Sequence, residues 1–411
     1  MSALRRIVEW FRPPTRPADA PLDVAPDPSD PRGRAAAAHT ALERTFRLGG
    51  SVPAYLEEVP WRGERRCYLW PLSRVASATL DALELGIVDE ARAVAVAELA
   101  LEPYHRGGVP HPAYDSAPRP PVGPGGDRFY DDNAWVALDL LRLHELTGRG
   151  PALDRARELF AFLVSGWDDA PGRPRPGGVR WVESASNLDR NTVSTVPAAQ
   201  VGYHLHRLAG DVEALRWADR MLGWASEVLR DPEDGLFWDH VDGEGRIETT
   251  KWSYNQGSVV GAELAGFRTR ARVDADRAAR HLARAEATAT AMLAHYPTAR
   301  GGWLGQGLPF NAIAFRDLLD LRRAIPTSPL AEEILLVARA HADEVWRTSR
   351  GPDGLFRPHG GGRTAAVIDQ AAAVEIQAAV ALADPGTTPT GSGAEHPPDP
   401  GSPAAPDPDL G

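Results

Sequence analysis

A single cysteine, Cys67, occurs in 411 residues. That excludes an internal disulfide and any metal cluster built from several thiolates. Cys67 has arginine neighbours but no nearby histidine to activate it, so a buried small side chain is expected. Lysine is almost missing as well. Lys251 is the only one, and asparagine occurs at five positions. A composition that drains Lys and Asn from indifferent positions draws attention to the survivors, Asn133, Asn187, Asn191, Asn255, Asn311 and Lys251. Apolar runs long enough to span a bilayer are lacking. The opening MSALRRIVEWFRPP carries arginines but no apolar stretch of signal-peptide type. Stable membrane insertion is therefore not expected, and a cytoplasmic location is. Positive charge is in deficit, 45 basic against 56 acidic side chains, for a net charge of −11. Nucleic acid is not an expected partner, and a uronate polymer is disfavoured unless arginines cluster locally. Neither a glycine-rich phosphate loop nor a Gly-x-Ser-x-Gly elbow is present. His204 and His206 stand two apart on one helix and point away from each other, so they cannot share a metal. No cofactor and no metal are expected.

What is present is helix. Leu4, Ile7, Val8 and Phe11 share one helix face before Pro13 and Pro14, and a Pro/Asp-rich leader follows, so residues 1–33 read as a short amphipathic helix and flexible leader. Residues 385–411 form a Pro/Gly-rich tail unable to build a core. Residues 34–384 constitute the folded domain. Within it, apolar residues at helical spacing predict helices over 35–48, 70–86, 88–101, 132–147, 151–165, 194–209, 211–230, 254–271, 274–296, 311–324, 329–349 and 364–383. Strand signals are few. Glycine-marked turns with aromatics (Gly178 to Trp181, Gly235 to Trp238, Gly302-Trp303, Gly354 to Phe356) recur at intervals of 57, 67 and 52 residues, about a helix pair plus loop. Twelve helices in six pairs predict an all-α protein, an (α/α)6 toroid with its inter-pair loops and their aromatics at one end. An open solenoid is the competing arrangement.

The chemistry-bearing stretch is Tyr130-Asp131-Asp132-Asn133-Ala134-Trp135. One Asp suffices to cap a helix N-terminus. Two adjacent carboxylates repel, which raises the pKa of one of them and makes an acid available near neutral pH. A carboxylate pair beside aromatic rings suits glycosidic bond cleavage, where one carboxyl donates a proton and the other stays ionised. A second polar stretch runs from Trp181 and offers Asn187, Asp189, Arg190 and Asn191 to sugar hydroxyls, with helix capping as the plainer reading. A third, Lys251-Trp252-Ser253-Tyr254-Asn255-Gln256, opens another helix toward the same end. Asp369-Gln370 lies in an apolar helix and reads as a buried structural hydrogen bond. His240 and His359 follow Gly-Leu-Phe turns and are placed at the rim.

Taken in order, Tyr-Asp-Asp-Asn-Ala-Trp, Leu-Thr-Gly, Gly-Trp-Asp, Gly-Gly-Val-Arg-Trp, Asp-Arg-Asn-Thr-Val-Ser-Thr and Tyr-Asn-Gln-Gly resemble glycoside hydrolase family 76 over about residues 65–383. The resemblance implies an (α/α)6 fold and a retaining endo-α-1,6-mannanase acting on α-mannan or manno-oligosaccharides. It further implies Asp131 as nucleophile and Asp132 as general acid/base, and a carbohydrate as the partner. Tyr130, Asn133, Trp135, Trp181, Asn187, Asp189, Arg190, Asn191, Lys251, Trp252, Tyr254, Asn255 and Gln256 are the candidate substrate-binding residues. Transglycosylation, glycan binding without turnover and a sugar epimerase of the same toroid are the competing functions.

Overall fold

The computed structural model describes residues 28–60, 66–297, 301–358 and 362–383. The expected N-terminal amphipathic helix, the C-terminal tail and His359 lie outside the described residues. Among the described residues there are twelve α-helices: α1 (Pro31–Phe46), α2 (Leu69–Glu84), α3 (Glu90–Val94), α4 (Tyr130–Thr147), α5 (Gly150–Ser165), α6 (Thr192–Ala209), α7 (Val212–Val228), α8 (Ser253–Arg270), α9 (Ala275–His295), α10 (Leu308–Ala324), α11 (Pro329–Thr348) and α12 (Val367–Ala383). The third predicted helix is short and runs on as a wider π-type turn over Ala95–Leu99.

Helices α2, α4, α6, α8, α10 and α12 form an inner ring in which each packs on the next and α12 closes on α2. Helices α3, α5, α7, α9 and α11 each cover the inner helix that precedes them, while α1 packs on α12. The sixth pair is thus assembled from the two ends of the folded chain. The fold is an (α/α)6 toroid.

Residue choice explains the two rings. Inner helices bury most of their circumference; in α12 nearly every side chain from Val367 to Ala383 is buried, and alanine lets its neighbours approach closely. Outer helices bury one face, as α7 does with Ala214, Ala218, Met221, Leu222 and Ala225. Inner helices α4 and α6 end on Gly148 and Gly210, which adopt the left-handed conformation (φ 71° and 69°) and turn the chain directly into the outer partner.

The return loops differ from expectation. Short antiparallel bridges, Trp167 with Val179, Arg230 with Phe237 and Arg350 with Phe356, close three of them at matching places. Their aromatics mostly do not rim a cleft: Phe237, Phe356 and Trp303 are buried in the core. Large rings are hard to keep in water when a hollow between two rings of helices can take them.

What holds these loops is a device repeated at the fourth residue of five inner helices. Asn133 accepts from the Tyr114 amide (2.8 Å) and donates to the Tyr114 carbonyl (3.0 Å). Thr195 accepts from the Val179 amide (3.0 Å). Gln256 bonds both the amide and the carbonyl of Phe237, each at 2.7 Å. Asn311 donates to the Trp303 carbonyl (2.6 Å). Gln370 accepts from the Phe356 amide (3.0 Å) and donates to the Ala38 carbonyl (2.8 Å), joining a loop to α1. All five side chains are fully buried. A primary amide suits the task because it donates and accepts at once, satisfying loop backbone that would otherwise be stranded away from water.

Replacing Gln370 by Leu leaves the buried Phe356 amide unpaired and removes the tie to the Ala38 carbonyl of α1. Unfolding free energy is expected to fall by about 2–4 kcal/mol, with helix content retained. Thermal unfolding followed by circular dichroism checks this, and an unchanged midpoint would show the pin to be dispensable.

Candidate active site

The inner helices α4, α6, α8 and α10 begin without a side-chain N-cap, whereas α3, α7, α9 and α11 are capped by Asp89, Asp211, Asp274 and Ser328. Uncapped amides and the positive ends of helix dipoles therefore converge on one mouth of the toroid. Asp131 and Asp132 are the second and third residues of α4. Both adjoin that mouth and are half-buried.

Their surroundings differ. The Trp181 indole N–H donates to Asp131 Oδ2 (3.0 Å), while Oδ1 is buried without a hydrogen-bond partner among the described residues. Burial pushes the Asp131 carboxyl up to about 6, opposed by the indole and by the backbone amides of the first turn. Asp132 is pushed well above the usual carboxylate range, first by burial and then by the charge of Asp131, with Arg74 opposing both. Burial and each other's charge both oppose ionisation of the pair, which favours one proton shared between the two carboxyls.

A third carboxylate faces the pair. Asp239 accepts from Asn255 Nδ2 (3.1 Å) and engages His240 Nδ1 (2.8 Å), and its charge acts on both Asp131 and Tyr254. Asp239 raises the His240 imidazole above its ordinary value. His240 and Asn191 are register partners in a small sheet, strands Arg190–Asn191, His240–Val241 and Ile247–Glu248, that forms one wall. Aromatic rings form the opposite side. Tyr254 stacks on Phe310 with centroids 4.0 Å apart, and Trp252 and Trp70 flank the same ring at 5.6 and 5.9 Å. Trp135, with Val193 and Ile313, makes the floor. Trp181 is the exposed ring beside Asp131, backed edge-on by Phe129 at 5.0 Å.

Several sequence-derived candidates have other duties. Tyr130 is buried and stacked on Phe162 at 4.4 Å, so it is core and not a platform for sugar. Asn133 and Gln256 are committed to loop backbone, as described above. Arg190 donates to the carbonyls of Pro174 (3.0 Å), Arg175 (2.9 Å) and Asp242 (3.0 Å), tying two loops from a fully buried position. The Lys251 ammonium bridges Asp231 (2.6 Å) and Asp234 (2.7 Å) in the acidic turn. Asn187 and Asp189 bond each other and shape the loop whose Asp189 carbonyl receives the Trp181 amide. Of the others, Trp181 bonds Asp131, Asn255 bonds Asp239, Tyr254 and Trp252 pack on Phe310, Asn191 pairs with His240 in the small sheet, and Trp135 lies one turn into α4 from the carboxylates. Sequence reasoning missed Asp239, Trp70 and Phe310. Asp239 stands alone between Trp238 and His240 with no motif to mark it, but Trp70 and Phe310 lie at the edge of the predicted helices 70–86 and 311–324 and are the second and third residues of the observed ones. The described residues contain no group of His, Cys, Asp and Glu able to hold a metal ion, and none of their helices is long and apolar enough to cross a membrane.

A closed α/α toroid with unequal carboxylates and aromatic platforms at one mouth defines a carbohydrate-active enzyme. Residues 50–389 match the sequence profile of glycosyl hydrolase family 76, and the chain belongs to that family. The fold is similar to that of a family 76 α-mannanase of Bacteroides thetaiotaomicron (TM-score 0.72, 20% identity, covering 85% of this chain and 95% of that one). It is also similar to an α-1,6-mannanase of Salegentibacter sp. (TM-score 0.71, 22% identity, 86% and 100% covered). An inactive variant of the latter, solved with α-1,6-mannotriose, aligns at TM-score 0.69 and 20% identity over 86% of this chain and 100% of that one. No curated protein matches the chain.

Raised carboxyl pKa values have a cost for stability. The native state binds protons that the unfolded state has already released, so stability falls as pH rises from about 4 through the Asp131 value. Asp131→Asn abolishes this term. It is expected to exceed the wild type in stability by about 1–3 kcal/mol at pH 8, with the gain vanishing below about pH 4. Denaturant titrations at the two pH values decide, and equal stability at pH 8 would contradict the raised value.

Proposed function

We propose that the protein is a retaining endo-α-1,6-mannanase-type glycoside hydrolase acting on α-mannan or manno-oligosaccharides, with Asp131 as nucleophile and Asp132 as general acid/base. The observation that carries this reading is the unequal setting of the pair: the Trp181 indole N–H donates to Asp131 (3.0 Å) at the helix start, while Asp132 is pushed up by burial and by the neighbouring Asp131 charge. The α-1,6-mannotriose complex of the Salegentibacter relative supports the choice of sugar and linkage.

In the first step an Asp131 oxygen bonds the anomeric carbon as the glycosidic C–O bond breaks, and the Asp132 proton passes to the departing oxygen. Water then attacks the anomeric carbon from the opposite side to the ester bond. Asp132 takes its proton, and the Asp131 carboxylate leaves, restoring the starting state with configuration retained. Helix-start amides stabilise the returning carboxylate charge. Trp181 beside the nucleophile and the Tyr254–Phe310 stack across the mouth offer ring faces to sugars on either side of the scissile bond.

Incubation with α-1,6-mannotetraose tests the reading. Wild type is expected to release shorter oligosaccharides whose first-formed anomer is α by proton NMR. Asp131→Asn and Asp132→Asn are each expected to lose about 10³-fold or more in kcat. No cleavage by wild type, a β first product, or full activity in either variant overturns the assignment.

The pH profile carries its own check. Activity requires Asp131 ionised and Asp132 protonated, so kcat/KM should fall as pH drops through about 6 and again on the alkaline side. Trp181→Phe keeps the ring and deletes the hydrogen bond that lowers the Asp131 value. Its acidic limb should move to higher pH while the alkaline limb holds, and an unmoved acidic limb would refute the indole's electrostatic role.

A further inference from the structure

Behind the mouth, the toroid axis is occupied by charge. A cavity of about 560 Å³ opens at the far end and is lined by arginines and carboxylates in equal number. Its rim arginines are already matched: Arg142 with Asp81 (2.5 Å) and Glu84 (2.6 Å), Arg207 with Glu145, and Arg268 with Asp320 (2.6 Å). Such a cavity offers no surplus charge to a ligand. Its innermost member, Arg74 of α2, differs from the rim arginines. It is 1% exposed, and its contacts with carboxylates are long: 3.3 Å from Nη1 to Glu375 of α12 and 3.8 Å from Nη2 to Asp139 of α4. Its Nε is buried without a hydrogen-bond partner among the described residues, and the guanidinium lies 5.5 Å from the Trp135 ring centroid.

Helical spacing makes this placement meaningful. Asp132, Trp135 and Asp139 occupy i, i+3 and i+7 of α4 and so share one face. Arg74 sits over the middle member of that stripe, with Asp132 toward the mouth and Asp139 a turn deeper. Glu375 is in turn held by Arg316, which reaches Asp81 at 3.5 Å. We propose that Arg74 is a positioning residue for catalysis: a buried cation, fixed under Trp135 by Glu375 and Asp139, that sets the pH at which Asp132 holds its proton.

The charged and titratable groups around it are Asp81 on its own helix, Asp131, Asp132, Asp139 and Arg142 on α4, Arg316 and Asp317 on α10, and Glu375 on α12. Burial keeps Asp317 up at about 8 and raises Asp139 and Glu375 as well, with the Arg74 charge opposing the rise in the last two. Arg74 is the opposing positive charge acting on Asp132, against burial and Asp131. Without it the acid would hold its proton too tightly to transfer it readily; with an unneutralised Arg74 it would release the proton too early.

The inference rests on the reading of Asp132 as the acid, and two substitutions separate tuning from mere support. Arg74→Met removes the cation and is expected to move the alkaline limb of kcat/KM upward by about one pH unit. Glu375→Gln removes the counter-charge and is expected to move the same limb downward, while Arg74→Lys keeps it near the wild-type position. A structural role predicts lower stability in both, without opposite shifts. Carbon-13 titration of the Asp132 carboxyl, assigned by its loss in Asp132→Asn, reads the same change without turnover. An inactive wild type would therefore sink the proposed function but leave this test standing. If Arg74→Met does not fold, Glu375→Gln and Arg74→Lys carry it. Shifts of one sign in Arg74→Met and Glu375→Gln, or an unmoved Asp132 in Glu375→Gln, overturn the proposal.

Discussion

The buried side chain at the fourth residue of an inner helix, bonded to the backbone of the loop before it, is the constraint on which the mouth of this toroid depends. Asn133, Thr195, Gln256, Asn311 and Gln370 each reach back to a loop segment that would otherwise bury unpaired amides. An unsatisfied buried peptide group costs about 1–3 kcal/mol, so the bonds define where each loop can rest. They also settle which residues face the opening. Once the fourth residue is turned outward to the loop, the second and third residues sit at the helix start next to the axis. Asp131, Asp132, Tyr254, Asn255 and Phe310 occupy those places.

The same geometry creates the electrostatic asymmetry. Helix starts left without side-chain caps bring amides and dipoles to the mouth, and Asp131 takes up some of those amides. Asp132 lies next to it in sequence yet is served by different neighbours, the Asp131 charge above and Arg74 behind. Two chemically identical side chains thus acquire different electrostatic settings through burial and neighbours alone. Mixed charge deep in the axis is costly to bury, which the ion pairs of Arg74, Arg316, Glu375 and Asp81 offset.

Much of this was legible in advance. Apart from the third, which is α-helical only over Glu90–Val94, the helix windows coincide with the observed helices to within a few residues, because each helix carries its own apolar pattern. Gly148 and Gly210, in the left-handed conformation, make the tight turns between partners. Rarity also pointed to the right segments, since Asn133, Asn187, Asn255, Asn311 and Lys251 all make specific side-chain bonds. It did not separate structural from ligand-facing duty. Asn133 and Asn255 both open a helix as asparagine, yet one holds Tyr114 and the other holds Asp239. Arg190 and Lys251 looked like ligand contacts because charge in a polar loop reads as exposed, whereas burial and ion pairing absorb them.

The sequence by itself determined the helices, their pairing, the family and the carboxylate pair, since these follow from local periodicity and from short motifs in a set order. Only the tertiary structure decided that α1 completes the ring by packing on α12, that Asp239 and Phe310 join Asp131 across the mouth, and that Arg74 stands behind Asp132. The physical reason is that each of these juxtaposes segments far apart in the chain, and their energies depend on distance and burial, which periodicity does not encode.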